Sequence, residues 1–291
     1  MTISELQAMI SLLDDSDAEI VNIVTHDLVS KGYSMYDVLE EITWSGNLDS
    51  HTQEQLEMIL QRIVFRQIKP QIEVLIMQGC EKHLLEILCL AAKITYPHHA
   101  NNTCQKSLDE LIKSLARDTN PTYGITRNIS EFNRVFYDTY RFRTPQGNNQ
   151  HLITNFMLND VLASKIGNNT LLSLVYWLLA NNLKWELCVE PVILPNTILL
   201  AAKNAQRSSP RYAQIDIAFY INPADKGNIH SRKEITNFLE DNNIGYTENM
   251  LQPDKIENLL HAYLIALSDC CLKNNRSICA KEMKELAALI V

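Results

Sequence analysis

Glycine is scarce in this chain of 291 residues: 8 are present against the roughly 20 that ordinary usage would give. No two of them stand one residue apart, and none opens a G-x-x-x-x-G-K-[ST] run. The dinucleotide fingerprint and the phosphate loop are therefore excluded. Proline is missing before Pro70, and no Lys or Arg precedes Lys31. Without a basic n-region, no secretory leader is expected. The longest nearly unbroken apolar run, Leu171 to Ala180, is about half of what crosses a bilayer, so no membrane partner is expected. The seven cysteines (Cys80, Cys89, Cys104, Cys188, Cys270, Cys271 and Cys279) are odd in number and form no C-x-x-C pair. Most sit among Leu, Ile and Ala at helical spacing, where a reduced thiol packs as a small hydrophobe. A cytoplasmic protein with free thiols and no cofactor is the expectation.

Charge is unevenly spread. The chain holds 34 acids and 26 bases, a net charge of −8. Residues 1–50 hold ten acids and one base, Lys31, while the remaining 241 residues hold 24 acids and 25 bases. An acidic leading segment repels phosphates, so nucleic acid is not an expected ligand. The same surface would suit a basic partner, with binding that weakens as salt rises.

Apolar residues recur with a helical period through the first part of the chain. Leu56, Ile59, Leu60, Ile63 and Val64 form one stripe, and Thr52-Gln53-Glu54-Gln55 reads as a capping box at its start. Shorter helices are expected over 4–13, 17–30 and 34–41, and after Pro70 over 72–77, 84–94, 108–115 and 132–140. Leu12 to Val21, with Asp14, Asp15 and Asp17, is similar to the turn and helix start of a HEAT-type repeat. An irregular helical bundle is the alternative. Those Asp residues also echo a calcium loop, but the central Gly and closing Glu of such a loop are missing, which leaves helix capping. Strand-like segments follow over 185–194, 197–203 and 212–221, the last with Ile215, Ile217, Phe219 and Ile221 alternating against Gln214, Asp216, Ala218 and Tyr220. Asn204 to Arg211 would connect the last two. Two helices close the chain, one with Ile256, Leu259, Leu260, Tyr263, Leu264 and Leu267 on one face and one from about Ser277. The expected class is α+β and mostly helical, with a helical, HEAT-like segment over 1–101 and a second domain over 102–291.

Residues 132–227 carry ordered blocks. Asn155-Phe156-Met157-Leu158-Asn159-Asp160-Val161-Leu162 is followed by Gly167-Asn168-Asn169-Thr170-Leu171-Leu172-Ser173-Leu174. Leu194-Pro195-Asn196-Thr197-Ile198-Leu199-Leu200 and Tyr220-Ile221-Asn222-Pro223-Ala224-Asp225-Lys226-Gly227 come next. This succession resembles the transglutaminase-like superfamily, in particular its bacterial Sir-B-type branch, and Ser231-Arg232-Lys233-Glu234 with the helices after it also looks like that branch. The resemblance implies a buried helix packed on a small antiparallel sheet. In that superfamily a thiol nucleophile stands at the helix start, where the dipole favours thiolate. A His on the next strand takes its proton, and an Asp or Asn on the strand after it orients the ring.

Mapped position by position, the helix start offers Asn168, Asn169 and Thr170 with no Cys. Thr197 stands at the His position, and Asn222 occupies the Asp/Asn position with no imidazole to orient. The resemblance therefore implies a catalytically degenerate member, a pseudoenzyme whose vestigial cleft (Asn168, Asn169, Thr170, Thr197, Asn222) binds a protein, peptide or small molecule. The alternative is a thiol-dependent hydrolase or acyltransferase with a relocated nucleophile, Cys188, served by His151 or His230. For the small residues at the helix start, capping and packing is the plainer role of Thr170 and Ser173. Arg141-Phe142-Arg143 and Gln146-Gly147-Asn148-Asn149 stand where the branch often carries a glycine-rich loop. His98-His99 lacks a third ligand at metal-binding spacing, so no metal is expected. The oligomeric state is not legible from these residues.

Overall fold

A computed structural model of the chain describes residues 3–96, 102–120, 122–183, 188–195, 197–203 and 217–290. The expected first turn of strand at 185–187, Asn196, the loop 204–211, the start of the third strand at 212–216 and His98-His99 lie outside the described residues. The structure forms two compact units, Met1–Met77 with Leu90–His99 and Gln78–Cys89 with Ala100–Val291.

The first unit holds α1 (Ile3–Ser11), α2 (Ala18–Ser30), α3 (Tyr36–Thr43) and most of α4 (Ser50–Thr95). Asp17 caps α2, its carboxylate accepting from the Glu19 amide, and Asp15 accepts from the Asp17 amide in turn. Capping is thus what the acidic run does. The expected capping box at Thr52 is corrected: Asp49 is the cap, accepting from the Thr52 amide at 2.9 Å while the Thr52 hydroxyl donates to its other oxygen. Asp outcompetes Thr because the charged oxygen also meets the helix dipole. The stretches expected before and after Pro70 are one helix, because α4 continues through it. Burial of Phe65, Ile68, Ile72 and Leu75 along one face offsets the single backbone bond that proline removes. The backbone leaves helical geometry at Gly79 instead, with φ 112° and ψ 112°, a conformation open to glycine.

The second unit is the mixed one. It comprises α5 (Asn102–Asp118), α6 (Ile125–Asn133), a π-helical turn over Arg134–Thr139, α7 (Leu158–Ser164) and α8 (Asn169–Asn181). The sheet strands β1 (Val189–Leu194), β2 (Thr197–Lys203), β3 (Ile217–Asn222) and β4 (Asn228–His230) follow, and then α9 (Arg232–Asp241), α10 (Ile256–Lys273) and α11 (Ser277–Ala287). The four strands pair antiparallel in chain order, so the fold is α+β and mostly helical, as expected; β4 is an addition to the three strands read from sequence. Every residue from Leu171 to Ala180 is buried, which makes α8 the central helix.

The sheet is covered on both faces. Val192, Leu194, Leu199, Ala201 and Tyr220 pack on Ile235 and Leu239 of α9 and on Leu251. α8 packs on β1 and β2 and supplies no side chain to that cluster. This corrects the expected polar face of β3: Tyr220 is buried, and its hydroxyl donates to the Leu251 carbonyl at 2.9 Å. Period-2 alternation marks a sheet with one wet face, and here a helix covers the second.

Asn133 joins three elements. Its Nδ2 donates to the Gly227 carbonyl at 2.8 Å, and its Oδ1 accepts from the Tyr176 hydroxyl of α8 at 2.9 Å. Next to it the Tyr137 hydroxyl donates to the Pro223 carbonyl, while Phe132 and Phe136 pack their rings on Tyr176. Gly227 has φ +69°, and a Cβ there would stand 2.3 Å from Asn133 Oδ1. Gly227→Ala is therefore expected to cost about 2 kcal/mol or more, read as a lower urea midpoint. Gly245→Ala, with open space and no left-handed φ, is expected to stay within about 0.5 kcal/mol.

Candidate functional site

The start of α8 is built from the residues before it. Gly167 lies so close to its surroundings that a Cβ would meet Val161 Cγ1 at 2.8 Å. Its amide donates to the Arg143 carbonyl, and the Arg143 amide donates to the Lys165 carbonyl, which ties the loop 141–149 to the approach of the helix. Asn168 is the N-cap. Its Oδ1 accepts from the Leu171 amide at 3.0 Å, its Nδ2 bonds the Thr170 hydroxyl, and its own amide donates to the Asn155 carbonyl at 2.8 Å. Asn169 differs: its Oδ1 is buried with no hydrogen-bond partner, while its carbonyl accepts from the Ser173 hydroxyl.

The strand residues sit in another layer. Thr197 pairs with Leu194 and alternates with Leu199, so it shares the face that α9 covers. Asn222, two residues beyond Tyr220, falls on that face too. Its Oδ1 accepts from the Ala224 amide, and its carbonyl accepts from Asp225 and Gly227; it closes the turn into β4. The structure thus brings Asn168, Asn169 and Thr170 together at one helix end and Thr197 and Asn222 together on one sheet face. No hydrogen bond joins the two groups among the described residues.

A cavity of about 480 Å³ opens beside the helix start, lined by Arg143, Gln146, Asn149, Thr154, Asn155 and Asp160 among others. Asn155 links it to α8 through the Asn168 amide and holds the 141–149 loop through Nδ2 on the Asn149 carbonyl. Thr154, Asn155 and Asp160 were not among the site residues read from sequence. Asn155 and Asp160 belong to a block quoted for the family resemblance, and that block was the available signal.

Cys188 stands at the threshold of β1 with φ 43° and is partly exposed. His230 is on β4, at the other edge of the sheet. The register runs from His230 through Tyr220 and Ala201 to Glu190, three strand spacings or about 14 Å. The carbonyl of His151 is held by Cys270 and Asn274 at the C-terminal end of α10, whereas β1 is tied to the other end of that helix through the Asp254 amide on the Pro191 carbonyl. Cys80, Cys104, Cys270, Cys271 and Cys279 are buried, and no group of three metal-ligating side chains gathers among the described residues.

Burial pushes the Cys80 and Cys270 thiols up to about 11. A hydrogen bond with Cys279 and burial raise Cys271; a hydrogen bond with Cys89 and burial raise Cys104, and Cys89 is lowered by the same contact. The folded state holds the Cys80 and Cys270 protons more tightly than the unfolded chain does. Stability from this source is present below pH 9 and is lost as pH rises towards 11. Thermal midpoints are expected to fall between pH 9 and pH 11, and Cys80→Ala with Cys270→Ala is expected to flatten that fall. For the helix start, Asn168→Ala is expected to cost about 1 kcal/mol through the lost cap. Asn169→Ala, which removes an unpaired acceptor, is expected to stay within about 0.5 kcal/mol. Denaturant midpoints of the two variants check the difference.

No curated protein and no solved structure matches the chain. Residues 102–263, more than half of the sequence, match the family model described as the transglutaminase-like superfamily. Among the described residues no helix is long and apolar enough to cross a membrane. With a buried central helix, a small antiparallel sheet and this match in agreement, the chain belongs to the transglutaminase-like superfamily.

Proposed function

We propose that the chain is a non-catalytic transglutaminase-like protein that binds a peptide or small ligand beside the start of α8 instead of transforming it. One observation carries this reading. The helix end where the superfamily's thiol would stand is closed by Asn168, whose amide is engaged with Leu171 and Thr170. An amide and a hydroxyl can recognise a ligand, but they form no nucleophile–base pair. The adjoining cavity, with the Arg143 guanidinium, the Gln146 and Asn149 amides and the apolar Leu152 and Ile166, suits a polar ligand with amide groups. The order of the sequence blocks supports the Sir-B-type branch, and seven cysteines that form no disulfide support a reducing, cytoplasmic setting.

Purified protein is expected to show no amidase, transamidase or peptidase turnover above a buffer blank. Iodoacetamide at pH 6 is expected to label its cysteines slowly until denaturant is added. Turnover that a single substitution beside α8 abolishes would overturn the reading. So would a thiol, Cys188 above all, that alkylates rapidly in the folded state.

A further inference from the structure

The first unit carries a helix face that the fold leaves bare. α3 buries Tyr36, Leu39 and Thr43. At 100° per residue, Asp37, Val38, Glu41 and Trp44 fall within an arc of about 120° on the opposite side. Trp44 is 62% exposed and Val38 42%, and both carboxylates are exposed. Trp44 is not a frayed end: its amide donates to the Glu40 carbonyl at 3.1 Å and closes the helix. α2 repeats the combination, with Ile23 also 62% exposed and Glu19 one turn before it.

The charge around these apolar groups is uncompensated. Neither Asp37 nor Glu41 makes an ion pair among the described residues. The single base of the first fifty residues, Lys31, is already paired with Asp27 at 3.2 Å. A large aromatic ring set among unpaired carboxylates is complementary to a segment carrying both apolar and cationic side chains. The indole accepts a cation on its face, and the carboxylates take the remaining charge. A second copy of this chain would set acid against acid, and nucleic acid would set phosphate against acid.

We infer that the α3 face formed by Asp37, Val38, Glu41 and Trp44 docks a basic, amphipathic segment of a partner protein. The partner is defined by Lys or Arg side chains flanking an apolar stripe, and the surface is independent of the cavity beside α8.

The test uses the full chain and a fluorescein-labelled helical peptide with Arg on one face and Leu along its edge, followed by anisotropy in 50 mM and 300 mM NaCl. Binding is expected at the lower salt and at least tenfold weaker at the higher. Trp44→Ala is expected to weaken it at least tenfold. Asp37→Asn with Glu41→Gln is expected to weaken it and to flatten the salt dependence. The control pair Asp241→Asn with Glu81→Gln makes the same change in net charge in the second unit and is expected to leave it within twofold. All five positions are exposed, so circular dichroism and thermal midpoints should match the parent. No binding at 50 mM NaCl, an equal loss in the control pair, or a dimer in sedimentation that Trp44→Ala dissolves would each overturn the inference.

Discussion

Asn168 turns its amide back on the first turn of the buried helix, and the rest of the account depends on that bond. A helix start presents unpaired N–H groups and a positive partial charge, a combination that lowers the pKa of a thiol placed there. In this chain the Asn168 oxygen satisfies the Leu171 amide and its nitrogen engages Thr170. The helix end is thereby given to capping. The α8 surroundings are those of a structural element: ten consecutive buried residues, a tight Gly167 approach and a clamp to the loop at Arg143.

Around that helix the fold is held by a few long-range polar links within an apolar mass. Asn133 reaches both the Tyr176 hydroxyl and the Gly227 carbonyl, so the central helix and the β3–β4 turn are fixed to the same side chain. Tyr137, Tyr220 and Tyr263 each donate a buried hydroxyl to a distant carbonyl, at Pro223, Leu251 and Phe156. Buried hydroxyls that find partners of this kind specify one arrangement among many that would bury similar area. The thiols belong to the same apolar mass, with Cys271 and Cys279 in contact at 3.3 Å between α10 and α11.

Much of this was legible in the residues. The all-apolar run from Leu171 marks the central helix, and the stripe from Leu56 marks a buried helix seam; the capping box of Ser231 and Glu234 lies in a block quoted only for the family resemblance. What failed did so for physical reasons. Thr52 was read as a cap because a local pattern does not tell which of two nearby oxygens the chain will use, and Asp49 won. The continuity of α4 through Pro70 is not legible because the cost of one lost bond is local, while the buried residues that offset it, Phe65, Ile68, Ile72 and Leu75, lie on both sides. The burial of Tyr220, which alternates with the apolar positions of β3, is not legible because nothing in that strand announces that α9, more than ten residues later, returns to cover it. The site was partly legible: Asn168 and Asn169 follow from mapping. The cavity beside them depends on how residues 143–166 fold onto the helix start, which no spacing within a single block encodes.

The central claim is that this helix start performs no covalent chemistry. Intact-mass spectrometry after incubation with a glutamine-containing peptide amide and a primary amine measures that most directly, since acyl transfer through a thioester leaves an adduct on the protein and releases ammonia. The account predicts an unchanged mass and no ammonia above the blank. An acyl adduct that maps to one cysteine and disappears when that cysteine becomes serine would contradict it.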